Sequence, residues 1–304
     1  MSWSGPRLLA TGWSLHLPGL TSTAVHTGLP PGPGDRVVAD LSPPEQLAAQ
    51  LGRKGLRYLE PATRLAVGAV HRALGLPAGQ RADWPMSPST AVVACSNLGN
   101  VGTVARVART VAREGGRAVS VMDAPNVSSN VMASAVARWF RFGGPNLMVC
   151  SGTTAGLDGL RLAALLLRAG RADRVVLVGA EPADEVACEL SAASHPVRRL
   201  HAAAACVLLR PWQPAGPREV EVEVLPRAGA WPRVPRVTIG RDGFDPATHW
   251  GDCYGALGVV ALALAAHLAA DEQHRVVGVH CDGEDGERAV LVSSSGSGTA
   301  GRHR

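Results

Sequence analysis

Apolar residues along this chain fall into short unbroken runs that alternate with longer segments of helical period. Residues 8–17, 90–94, 147–150, 174–178 and 201–209 are apolar-rich stretches, most of them dominated by Val, Leu and Ala, and they predict strands. Residues 61–76, 101–114 and 157–168, and the small-residue segment that ends near Trp139, predict helices. In the first of these, Ala62, Ala66, Ala69, Val70 and Ala73 share one face and Arg64 and Arg72 fall on the other, while Pro61 suits the first turn. Further on, 220–225 alternates as a half-exposed strand, 250–271 contains a Gly-Ala-Leu helix, and 275–279 and 288–292 form a final strand pair. Residues 18–36 and 213–219 read as loop and linker, and the tail from Ser293 as polar and unstructured.

Strands alternating with helices of this length predict an α/β layered fold. Two helices begin after comparable small-residue turns, near Thr153 and near Cys253, which points to two related halves. The expected organisation is a single domain over residues 1–293, with a first half to about residue 180, a second half over 181–293, and a disordered tail at 294–304.

The stretch with the most chemical promise runs from Gly144 to Glu181. An apolar strand feeds the turn Ser151-Gly152-Thr153-Thr154-Ala155-Gly156, a helix follows, and a second buried strand returns. A tight strand–turn–helix junction aims backbone N–H groups and one side chain at whatever docks there. The side chain at its tip is Thr153, which could also act only as a helix N-cap.

Composition narrows the function classes. With 46% hydrophobic and 18% charged residues the chain is of globular type, and with seven Trp, two Tyr and three Phe its core must be built from Ala, Val and Leu. Lys54 is the single lysine, so the formal charge of +5 rests on arginine and reflects coding bias more than nucleic-acid binding. The six cysteines show no CxxC pairing and mostly lie in apolar runs, as expected of buried, reduced thiols in a cytoplasmic protein. No signal-peptide pattern opens the sequence, and the apolar run 255–270 is short for a bilayer span, so no membrane association is expected. The acidic group Asp282, Glu284, Asp285 and Glu287 does not reproduce a calcium loop and reads as a solvated turn, leaving no metal site expected.

Four motifs in order carry a family resemblance. Gly144-Pro145-Asn146, the following turn, Ala155-Gly156-Leu157-Asp158-Gly159-Leu160 and Arg168-Ala169-Gly170-Arg171-Ala172-Asp173 together resemble the nucleophile region of β-ketoacyl synthases, of the thiolase-fold superfamily. Ala124-Pro125-Asn126-Val127-Ser128-Ser129-Asn130, leading to Phe142-Gly143-Gly144-Pro145, is similar to that family's dimer-side segment. Trp250-Gly251-Asp252-Cys253-Tyr254-Gly255-Ala256-Leu257-Gly258 resembles the segment that carries a catalytic histidine, and residues 279–292 resemble the Gly-rich phenylalanine loop. The resemblance implies a thiolase-like layered fold with two related βα halves, the C-terminal one shortened.

The departures from the family pattern bear on activity. The family's nucleophilic cysteine falls on Thr153, with Cys150 three residues earlier in the strand, where its side chain is expected to be packed. The catalytic histidine falls on Asp252, and the gate phenylalanines fall on Cys281 and Gly283. The region between Arg210 and Trp250 is short and offers no counterpart of the other catalytic histidine, although His249 stands nearby. Condensation needs a thiolate to accept an acyl group and imidazoles to stabilise an enolate. A threonine hydroxyl without a base is a far weaker nucleophile, and an aspartate would repel the enolate; Asp252 could equally be a helix cap.

What the resemblance then implies is a catalytically inactive, cofactor-free subunit of the chain-length-factor type in polyketide or fatty-acid-like biosynthesis. Its expected partners are an active ketosynthase, as a heterodimer, and an acyl carrier protein, with no nucleic acid. Two other readings follow from the residues. One is acyl transfer or thioester hydrolysis by Thr153, Ser151 or Cys150 with His195 or His249 as base. The other is a carrier-binding scaffold that meets an acidic partner through Arg53, Arg57, Arg198 and Arg199.

Overall fold

A computed structural model of the protein describes residues 5–26, 39–194, 199–214, 219–226, 231–270 and 276–294. Its strands are β1 (Arg7–His16), β2 (Ala39–Asp40), β3 (Thr90–Cys95), β4 (Asn146–Val149), β5 (Arg174–Glu181), β6 (Ala203–Pro211), β7 (Val220–Val224), β8 (Val237–Ile239), β9 (Val276–Gly283) and β10 (Gly286–Ser294). The helices are α1 (Ser22–His26), α2 (Leu47–Leu51), α3 (Pro61–Ala73), α4 (Val101–Glu114), α5 (Val131–Phe140), α6 (Ala155–Arg168), α7 (Glu185–Ser194), α8 (Pro246–Trp250) and α9 (Leu257–Ala270). The strands make one mixed sheet in the order β4-β3-β5-β6-β1-β7-β10-β9-β8, with β2 beside β1.

Alternation along the buried strands assigns the layers. Ala91, Val93 and Cys95 of β3 and Val175 and Leu177 of β5 point to one side, into a core shared with α6 and α9. Val92, Ala94, Val176 and Val178 point to the other, where α3 and α5 cover them. α3 is therefore buried well beyond the stripe its alanines define: Thr63, Leu65, Val67 and His71 are buried too. α9 is apolar all round and is enclosed on every side from Gly258 to Ala266, as such a composition requires.

The two halves repeat one topology. In the first, β3 and β5 are parallel while β5–β6 and β6–β1 are antiparallel. In the second, β8 and β9 are parallel while β9–β10 and β10–β7 are antiparallel. β6 pairs with β5 and β1, so by strand pairing it belongs with the first set of strands. The second half is the shorter. Among the described residues no helix separates β7 from β8, and no strand flanks β8 as β4 flanks β3.

Several elements differ from expectation. β8 and α7 are absent from the sequence reading, because three residues of strand and a weakly patterned helix leave little periodicity to find. β10 runs to Ser294 because it pairs with both β7 and β9, so residues 293–294 are not tail; residues 295–304 lie outside the described residues. No helix among the described residues is long and apolar enough to cross a membrane.

The halves meet at a glycine contact between α6 and α9. A Cβ on Gly156 would stand 2.4 Å from the Val259 nitrogen, and one on Gly258 would stand 2.9 Å from the Gly156 Cα. Neither backbone can yield without separating the helices. Just ahead of them, the 3₁₀ turns Gly152–Thr154 and Tyr254–Ala256 pack together.

One carboxylate holds these turns. Glu181, at the end of β5, is fully buried. Its oxygens accept from Asn97 N at 2.6 Å, Ser96 Oγ at 2.8 Å, Leu98 N at 3.1 Å and Gly255 N at 3.1 Å. It thereby satisfies donors from the turn after β3 and from the turn that opens α9. Burial pushes its pKa from an ordinary 4.5 up to about 7, and the four donors oppose that rise.

Two predictions follow from this geometry. Gly156→Ala, a change that adds up to about 1 kcal/mol of stability in a free helix, is expected to cost about 1–3 kcal/mol here because the added carbon meets backbone, read as a lower urea midpoint. Because the folded protein holds the Glu181 proton more tightly than the unfolded chain, this residue's contribution to stability is intact below about pH 4.5 and declines as pH rises to about 7. Denaturation midpoints measured across that window should therefore show a falling component that Glu181→Gln removes.

Candidate functional site

The strand–turn–helix junction is built by three side chains around its tip. Asn97 Nδ2 donates to Gly152 O at 3.1 Å, and Asn97 Oδ1 accepts from Gly152 N at 3.2 Å. That two-point clamp holds Gly152 at φ +66°, in the left-handed region where glycine carries no Cβ penalty. On the helix side, Asp158 Oδ2 accepts from Ser151 Oγ at 2.7 Å and Thr154 Oγ1 at 2.8 Å, and Oδ1 accepts from Arg288 Nε at 2.6 Å. Partial burial pushes the Asp158 carboxyl up, but these hydrogen bonds and the Arg288 charge outweigh it and hold the pKa below its ordinary value. The Asp158–Arg288 pair also ties the first turn of α6 to β10.

Thr153 itself faces the second half. Its hydroxyl donates to the Asp282 carbonyl oxygen at the end of β9, so it does not cap α6. A Cβ on Gly283 would lie 2.8 Å from Thr154 Cγ2 and 3.2 Å from Thr153 Oγ1, so the β9–β10 hairpin rests directly on the tip. Thr153 and Gly283, expected to belong to one site, are brought together. Beside them opens a cavity of about 280 Å³, lined among others by Thr153, Asp245, Leu257, Ala261, Cys281 and Asp282.

Asp252 is placed differently. It is buried, and its Oδ1 accepts from Tyr254 N at 2.8 Å, capping the 3₁₀ turn that leads into α9. Its backbone exchanges hydrogen bonds with Arg199 O and His201 N, and it does not line the Thr153 cavity. The aspartate in the histidine's sequence position thus bonds the backbone of the turn that leads into α9.

Cys150 corrects an expectation. β4 stops at Val149, and Cys150 is exposed, not packed in a strand. Among the described residues β4 is an edge strand with a strand neighbour on one side only, so its outer edge is left open. The surrounding protein and the Glu181 charge still push the thiol pKa up, which disfavours thiolate. Cys188 is only half-buried, whereas Cys95, Cys206, Cys253 and Cys281 are buried, with thiols raised by burial.

Among the described residues no imidazole is hydrogen-bonded to the Thr153 hydroxyl, although His280 lines the same cavity. His249 is exposed, places Nδ1 2.9 Å from Asp245 O and stacks on Phe244 at 4.6 Å. His195 and Arg198 lie outside the described residues. Arg53, Arg57 and Arg199 are exposed. The residues that sequence reading missed are Glu181 and Asn97. The one signal for Glu181 was an ionisable residue ending an otherwise apolar strand, and for Asn97 its place in a turn just after one.

Comparison with known proteins places this architecture. Residues 34–202 match the family model "Beta-ketoacyl synthase, N-terminal domain". No curated protein matches. Among solved structures, the ishigamide ketosynthase/chain length factor superposes with a TM-score of 0.69 at 20% identity, covering 95% of this chain and 99% of that one. A type II PKS acyl-carrier protein in complex with its ketosynthase bound to the hexaketide (AntDE:AntF) gives 0.68 at 13% identity, with 95% and 99% covered. A β-ketoacyl synthase from Burkholderia phymatum STM815 gives 0.66 at 13%, with 94% and 98% covered. These likenesses describe the fold; the family model spans more than half of the sequence, and the chain belongs to the β-ketoacyl synthase family.

Proposed function

We propose that this chain is a non-condensing β-ketoacyl synthase-like subunit, of the chain-length-factor type, that pairs with an active ketosynthase in polyketide or fatty-acid-like biosynthesis. The observation that carries this reading is the state of Thr153. It stands where the family's nucleophile is expected, and its hydroxyl is bonded to the backbone carbonyl of Asp282 and not to an imidazole. A hydroxyl so placed donates to a carbonyl and not to a general base. Ser151 donates to Asp158, which is held ionised beside Arg288, so it belongs to the scaffold of the turn. Partial burial raises the pKa of Cys150, and no imidazole partner stands beside it among the described residues. Among the described residues, none of these three groups is hydrogen-bonded to an imidazole.

Pairing is supported by the surface around β4. Asn130 Nδ2 donates to Asn146 Oδ1 of that edge strand at 2.8 Å. Asn100, at the start of α4, donates to the carbonyls of Asn126 and Ser128 at 3.1 Å each. One face thus joins β4, the segment 124–130 and α4, and it exposes Val104, Val111, Val121, Met122 and Val127. An unpaired edge strand bordered by exposed apolar side chains is a surface that proteins cover. The ishigamide and AntDE:AntF structures carry a ketosynthase with a chain length factor and with an acyl-carrier protein, respectively. They support a synthase and an acyl carrier as the partners here.

Co-expression with a synthase that retains its cysteine and histidines, followed by size-exclusion chromatography, tests the pairing. The expected result is co-elution as a heterodimer. Met122→Asp, at a side chain 53% exposed, is expected to abolish co-elution while changing stability by no more than about 0.5 kcal/mol. A homodimer that ignores every candidate synthase, or a variant that still pairs, would remove this reading.

A further inference from the structure

The β9–β10 hairpin holds a second constellation, on the wall of the cavity that Thr153 also lines. His280 and Asp282 are two residues apart on β9 and so share a face of the sheet. The register sets Glu287 of β10 directly opposite Asp282, on that same face. His280 Nε2 lies 3.2 Å from Asp282 Oδ1 and 3.6 Å from Glu287 Oε2, and the three ligand atoms fall within 4.8 Å of one another. Glu284 and Asp285, which the sequence grouped with these acids, are instead the two turn residues between the paired Gly283 and Gly286.

The histidine separates this arrangement from a solvated acidic turn. Its side chain is only 8% exposed, yet neither ring nitrogen has a hydrogen-bond partner among the described residues. A buried polar ring without a hydrogen bond is costly, and here its Nε2 is aimed at two carboxylates. Ligands about 2.1 Å from a shared tetrahedral ion stand about 3.4 Å from one another, which is the spacing His280 keeps from both acids.

We propose that His280, Asp282 and Glu287 form a binding site for a divalent transition-metal ion of the Zn²⁺ type. One imidazole and two carboxylates suit a borderline ion and not Mg²⁺ or Ca²⁺, which take oxygen donors. Arg241 serves as the counter-ion that the metal displaces. Its Nη1 is 3.4 Å from Asp282 Oδ2 and 3.8 Å from Glu287 Oε1, and with 66% of the side chain exposed it can swing into solvent. The consequence reaches the tip of the turn, because Asp282 also receives the Thr153 hydroxyl on its carbonyl. Bound metal would fasten the hairpin over Thr153. This proposal stands apart from the pairing function and has its own test.

The test is calorimetric titration of the EDTA-treated, untagged full chain with ZnCl₂, with MgCl₂ as the control. The expected result is about one Zn²⁺ per chain and a higher Tm, with no response to Mg²⁺. Asp282→Asn and Glu287→Gln, near-isosteric changes at exposed side chains, are each expected to weaken binding at least tenfold, since losing a ligand costs no less than the roughly 10–100-fold typical of its supporting partners. Arg241→Ala is expected to tighten it by removing the competing cation. Absence of Zn²⁺ binding in the native chain, binding that appears only in Arg241→Ala, or binding unchanged in both carboxylate variants would each overturn the proposal.

Discussion

The carboxylate of Glu181 is the interaction on which the arrangement of this protein depends. It is buried at the end of a central strand, and every donor it receives comes from a turn that would otherwise bury an unpaired N–H or O–H. Through Asn97 and its neighbours it positions the turn after β3. Asn97 then clamps Gly152, which sets the tip of the strand–turn–helix junction. Through Gly255 it positions the start of α9, the central helix of the second half. The glycine contact between α6 and α9 depends on that same placement, because two helices packed backbone to backbone tolerate little displacement.

Within this frame the polar groups of the turn make structural contacts. The hydroxyls of Ser151 and Thr154 secure Asp158, Asp158 secures Arg288 of β10, and Thr153 secures the carbonyl of Asp282. Two of these contacts, Asp158 with Arg288 and Thr153 with Asp282, join the halves. An enzyme of this family must leave its nucleophile free for an acyl thioester, and here the side chain at the tip is a crosslink. Family membership is shown by the sequence match over residues 34–202, and the proposed loss of condensation rests on that crosslink.

Much of the fold was legible in the sequence because its core strands are continuous apolar runs and its helices carry clear period. α4 begins and ends where the pattern predicts, at Val101 and Glu114. β8 was not legible, since three residues carry no periodicity and its place is fixed by pairing with β9. The candidate site was legible in part. Motif order located Thr153 and Gly283, which the structure joins. It also coupled Asp252 to them, and there the structure gives a buried side chain bonded to the turn before α9 instead. Cys150 was misread because an apolar run does not reveal that its strand lies at a sheet edge. Glu181 was passed over because its importance comes from partners 74 to 85 residues away in sequence, which no local pattern records.

The central claim is that this chain pairs with a condensing subunit and takes no acyl group itself. Its most direct test is intact-protein mass spectrometry of the purified complex with an active synthase, after incubation with an acyl-carrier thioester. The account predicts an acyl mass shift on the synthase and none on this chain. An acyl adduct on this chain, mapped to Thr153, Ser151 or Cys150, would contradict it.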